Sequence, residues 1–242
     1  MSTFRNRENR PRRAEGDRDE DRPSREVGRR ERARREKLSR IRQAAWELFH
    51  QRGFGGATTR QIAEAADVGV GTLFLYAKDK RELLLLVYDG ALAETSDEAL
   101  DGLPEHGPLE GELLSVFRRL FGFYERDRDL SRLFVSEVLA GGEGEVRRRS
   151  LEGVGRFVGR LAERVELAQG RGEVALEVDP LRAARNLFAL YYAELTAFLA
   201  SDASAGEALE GPLREAIGLQ VRGLLPRDAK EVRGHSEKGA RA

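Results

Sequence analysis

The 242-residue chain contains no cysteine, and none of its apolar runs approaches the length of a membrane span. Without cysteine it forms no disulfide and no thiolate-based metal or catalytic site, so nothing points to an oxidising compartment. The apolar run Leu83–Tyr88 is far shorter than the ~20 residues that cross a bilayer. The amino terminus is rich in arginine but lacks the apolar stretch of a signal peptide. These absences predict a cytoplasmic protein without a membrane segment.

Signatures of the common enzyme classes are also missing. The three histidines, His50, His106 and His235, lie far apart and have no carboxylate at metal-ligand spacing. The chain has neither Gly-x-Ser-x-Gly nor Gly-Lys-Ser/Thr, and Gly153–Gly159 has the wrong spacing for a dinucleotide loop and continues a helical pattern. We therefore expect no enzymatic activity, no cofactor and no metal. An all-α enzyme with a scattered site stays open as an alternative.

Charge is distributed unevenly, although the formal net charge is zero. Residues 1–80 contain 20 Lys and Arg against 13 Asp and Glu, whereas residues 81–242 contain 22 against 29. A basic front and an acidic back indicate that the front binds a polyanion. Charge alone does not choose among DNA, RNA and a membrane surface.

The strongest local pattern lies between Gly53, which is expected to end a first basic helix that begins near Arg30, and Lys80. Thr58 and Gln61 are spaced as a capping box that opens a short helix, and Gly69 is placed to cap a second one over roughly Val70–Tyr76. The turn between them is only three or four residues long. Two short helices joined in this way form a helix-turn-helix, whose second helix enters the DNA major groove.

The pattern extends on both sides of this turn. It reads Gly53-Phe54-x-x-x-Thr58-Thr59-Arg60-x-Ile62-Ala63-x-x-Ala66-x-Val68-x-x-Gly71-Thr72-Leu73-x-x-Tyr76-x-x-x-Lys80, preceded by Ile41-Arg-Gln-Ala-Ala-Trp-Glu-Leu-Phe49. In these residues the chain resembles the DNA-binding domain of TetR-type transcriptional regulators, over about Arg30–Leu85. The resemblance implies a DNA-binding regulator, more often a repressor than an activator.

The resemblance also implies which residues contact DNA. Phosphate contacts are expected from Thr58, Thr59, Arg60, Lys78 and Lys80. Contacts with bases and sugars are expected from Val70, Gly71, Thr72, Leu75 and Tyr76. The second helix contains no Arg, Asn or Gln, so bidentate base readout is sparse, and DNA shape or the arginine-rich arm adds discrimination.

The remaining sequence is helical in its apolar spacing. Asp179-Pro180 is a strong start signal for a helix that reaches about Ala200 and is apolar on most sides. One of its faces suits its own core and another suits a partner, so we expect a homodimer through the helices at about 180–200 and 206–225. Pro212 starts or bends the last helix. The alternative is a monomer in which this helix is simply part of the core.

Aromatic residues cluster in the middle helices and provide candidates for an effector pocket. We expect a small apolar or aromatic effector, because no basic cluster falls inside an apolar face. Each aromatic residue is also compatible with ordinary core packing. The candidate lining residues are Phe117, Phe121, Tyr124, Phe134, Phe157, Phe188, Tyr191 and Tyr192.

The predicted fold is all-α, with an N-terminal three-helix helix-turn-helix domain joined to a C-terminal helical ligand-binding and dimerisation domain. The expected boundaries are a disordered Arg-rich arm at 1–29, the DNA-binding domain at 30–80, the ligand-binding and dimerisation domain at 81–226, and a disordered tail at 227–242. The predicted function is that of a ligand-released repressor that binds a palindromic double-stranded operator as a homodimer. A helical interaction scaffold without specific DNA binding is the other alternative.

Overall fold

The computed structural model describes residues 22–104, 106–139 and 145–226, and all regular structure in these ranges is helical. The all-α prediction is therefore confirmed for this part of the chain. No helix within it is long and apolar enough to cross a membrane. Predicted disorder at 1–21 and 227–242 falls outside the described residues. The helices are α1 (Arg22–Gly56), α2 (Thr59–Ala65), α3 (Val70–Leu73), α4 (Lys80–Asp101), α5 (Leu109–Glu125), α6 (Arg128–Leu139), α7 (Glu145–Gly170), α8 (Pro180–Ala200), α9 (Ala205–Ala208) and α10 (Arg214–Leu224).

The first helix begins earlier than its apolar pattern predicts. α1 starts at Arg22 rather than near Arg30, so residues 22–29 of the arm predicted as disordered are helical. Arg and Glu are good helix formers, and a proline in the first turn costs little, because that amide would have no partner inside the helix. Gly53 interrupts the helical backbone where predicted, since its φ of 68° is a conformation that glycine adopts readily.

α4 packs against both the N-terminal helices and the remaining helices of the chain. In the N-terminal part, α1, α2 and α3 pack around side chains that are almost completely buried, among them Ile41, Phe49, Ile62 and Leu73. The run Leu83–Tyr88 at the start of α4 is buried throughout. α4 packs against α1 on one side and against α5, α6 and α7 on others. It therefore connects the N-terminal helices directly to the second bundle.

The second bundle contains α5 to α10. α8 begins as predicted, because Pro180 occupies its first turn and the Asp179 carboxylate accepts a hydrogen bond from the Arg182 amide at 2.7 Å. The last predicted helix is broken into α9, a π-helical turn at Leu209–Leu213 and α10. Gly211 leaves the helical region (φ −100°, ψ −105°) beside Pro212, whose ring cannot fit a regular helix interior.

Candidate functional site

The turn between α2 and α3 is held by short-range polar contacts. The predicted capping box is present: the Thr58 hydroxyl accepts from the Gln61 amide at 3.2 Å, and the Gln61 side chain accepts from the Thr58 amide at 3.1 Å. Asp67 lies in the turn with a φ of 52°, and its carboxylate pairs with Arg40 of α1 at 3.0 Å. This ion pair is exposed and contributes little, so α2 and α3 form one unit with α1 mainly through their shared core, which includes Ile41, Ile62 and Leu73.

α3 is shorter than the predicted helix over Val70–Tyr76. Its regular α-helical part ends at Leu73, and a tight turn follows in which the Tyr76 amide donates to the Leu73 carbonyl at 2.9 Å. Hydrogen bonds from an amide to the carbonyl three residues earlier commonly tighten the last turn of a helix. Here they redirect the chain towards Asp79, whose carboxylate caps α4 by accepting from the Glu82 amide at 2.8 Å.

Large apolar side chains are exposed together on the outer side of α3. Val70, Phe74 and Leu75 are 38%, 44% and 84% exposed, and we call these three residues the apolar face. A cluster of exposed large apolar side chains is typical of a binding surface, because burial would otherwise be favourable. Phe74 was missing from the predicted contacts, although its position four residues after Val70 places it on the same side of a helix.

Cations and hydroxyls surround the apolar face. The predicted residues Thr58, Arg60 and Gly71 are exposed, while Thr59, Thr72 and Tyr76 are half-buried. The Tyr76 hydroxyl donates to the backbone carbonyl of Arg34 at 3.4 Å, which places the basic part of α1 beside the apolar face. We call this part the basic segment; its exposed cations are Arg29, Arg30, Arg32, Arg34, Arg35, Lys37 and Arg40, against Glu31 and Glu36.

The two lysines predicted to contact phosphate already have partners. The Lys80 ammonium donates to the carbonyls of Phe54 at 2.6 Å and Ala57 at 3.0 Å, and lies 4.4 Å from the centre of the Phe54 ring. Two of its three donors therefore close the turn after α1. Lys78 pairs with Glu82 at 2.9 Å, so a phosphate would have to compete for its ammonium.

A cavity of about 220 Å³ lies between α4, α5, α6, α7 and α8. The structure brings six of the eight candidate effector residues together around it: Tyr124, Phe134, Phe157, Phe188, Tyr191 and Tyr192. Phe117 and Phe121 do not line it and are completely buried. Their rings lie 4.7 Å and 5.9 Å from that of Tyr191, so they support the aromatic wall from behind.

Of the polar groups at the cavity, the sequence predicted Tyr192 but not Ser150 or Asp89. The Tyr192 hydroxyl is buried without a hydrogen-bond partner in the described part of the chain. The Ser150 hydroxyl of α7 donates to the Asp89 carboxylate of α4. Burial raises the pKa of Asp89 to about 6, against partial opposition from this hydrogen bond and from the charges of Arg42 and Arg156.

A basic cluster borders the cavity, although the sequence shows none inside an apolar face. Arg149, Arg156 and Arg160 of α7 all line it. Their spacing of seven and four residues places them on one side of the helix, a signal that the sequence did contain. Arg149 pairs with Glu145 at 3.0 Å, and Arg160 pairs with Asp101 at 2.7 Å. The cavity therefore combines an apolar interior with a cationic rim.

Asp89→Asn is expected to stabilise the fold in a pH-dependent way. The pKa of Asp89 in the folded protein, about 6, lies above its ordinary value of 3.8, so ionisation destabilises the fold as pH rises from about 4 to 6. Replacing the carboxylate should raise the free energy of unfolding by roughly 2–3 kcal/mol at pH 7.5, and by little at pH 4. Denaturant titrations at the two pH values measure this difference.

Asp97→Asn is the matched control for this prediction. Asp97 also lines the cavity but is exposed and pairs with Arg160 at 3.3 Å, so its replacement should give no gain at pH 7.5. An equal gain for Asp89→Asn at both pH values would show that packing, not ionisation, is responsible.

The amino-acid sequence is similar to those of known bacterial regulators. Residues 41–87 match the family model described as bacterial regulatory proteins, tetR family. The chain is 30% identical over 103 residues to the probable HTH-type transcriptional regulator YttP of Bacillus subtilis (strain 168), and 24% identical over 98 residues to that organism's fatty acid metabolism regulator protein. These matches cover 41% and 40% of this chain, and 49% and 50% of the two proteins. The chain thus spans about half the length of the curated relatives it matches.

One solved structure covers more of the chain. It is that of Thermus thermophilus FadR, a TetR family transcriptional repressor, in complex with lauroyl-CoA. Its TM-score with this chain is 0.63 at 28% identity, and the match covers 78% of this chain and 96% of that one. The similarity includes the helical domain beyond the helix-turn-helix.

Proposed function

We propose that the chain is a transcriptional repressor of the TetR family of bacterial regulatory proteins, which binds a palindromic operator as a homodimer and is released by an effector. The observation that carries this proposal is the apolar face, exposed on a braced helix-turn-helix beside the basic segment of α1. An enzyme or an interaction scaffold would not require this combination.

In the proposed complex, α3 enters the major groove. The apolar face contacts thymine methyl groups and sugars, since it has no side chain for bidentate base contacts. Thr58, Thr59 and Arg60 at the start of α2 meet phosphates, together with the cations of the basic segment. Lys80 acts mainly by holding the turn between α1 and α2.

Dimerisation is proposed through α8 and α10. α8 carries a row of exposed alanines, and α10, which packs against α8, exposes Leu219 to 69%. Small residues allow helices to approach closely, and burying Leu219 in a two-fold contact adds hydrophobic stabilisation. The alanines of the row are Ala189, Ala193, Ala197 and Ala200. A dimer spaces two α3 helices for successive major grooves, about 34–36 Å apart.

The effector is proposed to be an acyl compound with an anionic head group. The aromatic interior of the cavity accepts an apolar chain, and Arg149, Arg156 and Arg160 at its rim accept an anion. The unpartnered Tyr192 hydroxyl can donate to a carbonyl oxygen of the ligand. The similarity to a repressor in complex with lauroyl-CoA supports this class of ligand.

α4 provides the physical connection between the two proposed sites. Its first residue, Lys80, bonds the turn that supports α2, and Asp89, Leu92 and Ser96 in its middle line the cavity. A ligand that shifts α4 would change the spacing of the two α3 helices in a dimer. Effector and operator then weaken each other's binding, because each favours a different conformer.

Fluorescence anisotropy with duplex DNA from upstream of the protein's own gene tests this function. We expect tight binding that weakens steeply between 50 and 200 mM salt, because phosphate contacts release counterions. Adding lauroyl-CoA should release the DNA. If the protein binds DNA but lauroyl-CoA does not release it, the proposal of a DNA-binding repressor is kept and the proposal of an acyl effector is contradicted.

Gly153→Phe is expected to produce a repressor that no longer responds to the effector. Gly153 lines the cavity, and the nearest atom to a Cβ on it would be the end of the Arg156 side chain at 3.6 Å, so the backbone accepts a side chain there and a ring would occupy the ligand's space. Release should require at least ~10-fold more lauroyl-CoA, with DNA affinity unchanged, which corresponds to a loss of about 1.4 kcal/mol in effector binding.

Gly159→Phe is the matched control on the same helix. Gly159 does not line the cavity, and a Cβ there would meet no atom within 4 Å. Its effector response should equal that of the wild type. Equal loss of response in both variants would mean that α7, rather than the cavity, controls release.

A further inference from the structure

A second depression, of about 850 Å³, lies between α1, α4 and α5. It uses residues of α4 other than those that line the effector cavity, including Val87, Gly90 and Glu94. Its volume falls within the range typical of small-molecule sites, roughly 300–1,000 Å³. We call it the arginine groove, after the four arginines that line it.

The arginines stand in two pairs on opposite walls. Arg35 and Arg42 lie two turns apart on α1, while Arg119 and Arg126 lie two turns apart on α5 and its carboxyl end. Within the described part of the chain, none forms an ion pair with Glu94 or Glu98, the only acidic residues of the groove. Arg35 pairs with Glu31 at 3.3 Å, and Arg119 reaches the backbone carbonyl of Glu98 at 3.5 Å.

Arg42 is the most constrained of the four. Its Nε is buried and has no hydrogen-bond partner in the described part of the chain. Its guanidinium lies so close to Gly90 that a Cβ on that glycine would be 3.1 Å away. A buried donor without a partner costs free energy, which an oxyanion in the groove would recover.

From these contacts we propose that the arginine groove binds a ligand through two or more phosphate groups. The planar guanidinium binds phosphate oxygens in pairs, which suits arginine rather than lysine for this role. Seven residues of helix rise by about 10 Å, so each pair of arginines fits a chain of phosphates better than a single ion. Trp46 and Phe123 in the walls offer apolar surface to the rest of the ligand.

The arginine groove is connected to both the proposed DNA-binding site and the proposed effector cavity. Arg42 belongs to α1, which carries the basic segment, and its charge also acts on Asp89 in the effector cavity. The phosphates could come from a free nucleotide-like compound or from the DNA backbone. Both sources present phosphate oxygens to the arginines, and titrations with pyrophosphate and with duplex DNA distinguish them.

The single tryptophan of the chain, Trp46, lies in the groove and reports on it directly. We expect sodium pyrophosphate, titrated at constant ionic strength without DNA, to change Trp46 fluorescence saturably. Arg42→Gln and Arg126→Gln should each weaken the response at least ~10-fold. Arg118→Gln is the matched control, because Arg118 precedes Arg119 on α5 but pairs with Glu210 outside the groove.

A parallel titration with duplex DNA identifies the source of the phosphates. A response to pyrophosphate that depends on Arg42 and Arg126 supports a free ligand, and a response to the duplex alone, with the same dependence, assigns the phosphates to DNA. The proposal is overturned if neither probe changes the fluorescence, or if the wild type and both variants respond alike. The pyrophosphate titration contains no DNA, so it stands or fails separately from repressor function.

Discussion

Leu219→Glu is expected to convert the protein to a monomer and to weaken operator binding by two to four orders of magnitude. Leu219 is 69% exposed in the single chain, and we propose that the partner subunit covers it. Two carboxylates buried against each other across a two-fold axis would be strongly unfavourable. The loss of DNA affinity follows because a dimer binds its second half-site intramolecularly, an advantage of about 100- to 10,000-fold.

Light scattering coupled to size-exclusion chromatography measures the first effect, and anisotropy on the same samples measures the second. Leu151→Glu is the control, since Leu151 is an exposed leucine of α7 outside the alanine row and α10. That variant should remain a dimer. A dimeric Leu219→Glu protein with normal DNA affinity would remove α10 from the proposed interface.

Leu75→Glu is expected to abolish specific DNA binding, with a loss of at least ~100-fold, while leaving the fold intact. At 84% exposure, Leu75 contributes little to packing in the free protein, so its replacement should not destabilise the fold. In the proposed complex the residue lies in the major groove, where a carboxylate meets the negative field of the phosphates and loses apolar contact with bases.

Leu176→Glu makes the same chemical change at 81% exposure, in the connection between α7 and α8. It alters the net charge equally, so it separates a general electrostatic effect from a local one. Its DNA affinity should stay close to that of the wild type. If both variants lose affinity equally, the apolar face is not the reading surface.

The features that could be predicted from the sequence are local ones. The capping box at Thr58, the interruption at Gly53 and the Asp179-Pro180 start of α8 depend on residues close together in the chain, and the structure confirms all three. The all-α class follows similarly, because helical periodicity is a property of short windows. The start of α1 was missed, because arginine-rich sequence offers no apolar period although it favours helix.

Several polar contacts at the proposed sites could not be predicted, because they join segments that are distant in the sequence. Ser150 and Asp89 are 61 residues apart and meet only because α4 packs against α7. Lys80 is 26 residues from Phe54, and nothing in the pattern distinguishes a phosphate ligand from a bond that closes a turn. The aromatic clustering, by contrast, identified six of the residues that surround the cavity.

A competition titration shows whether a pair of apolar faces reads one DNA sequence. Labelled duplex from upstream of the gene is bound at 150 mM salt and then displaced by unlabelled duplex of the same or of shuffled sequence. We expect two protomers per duplex, and a same-sequence competitor at least ~1,000-fold more effective than the shuffled one. Equal displacement by both competitors, or binding as single protomers, would contradict this expectation.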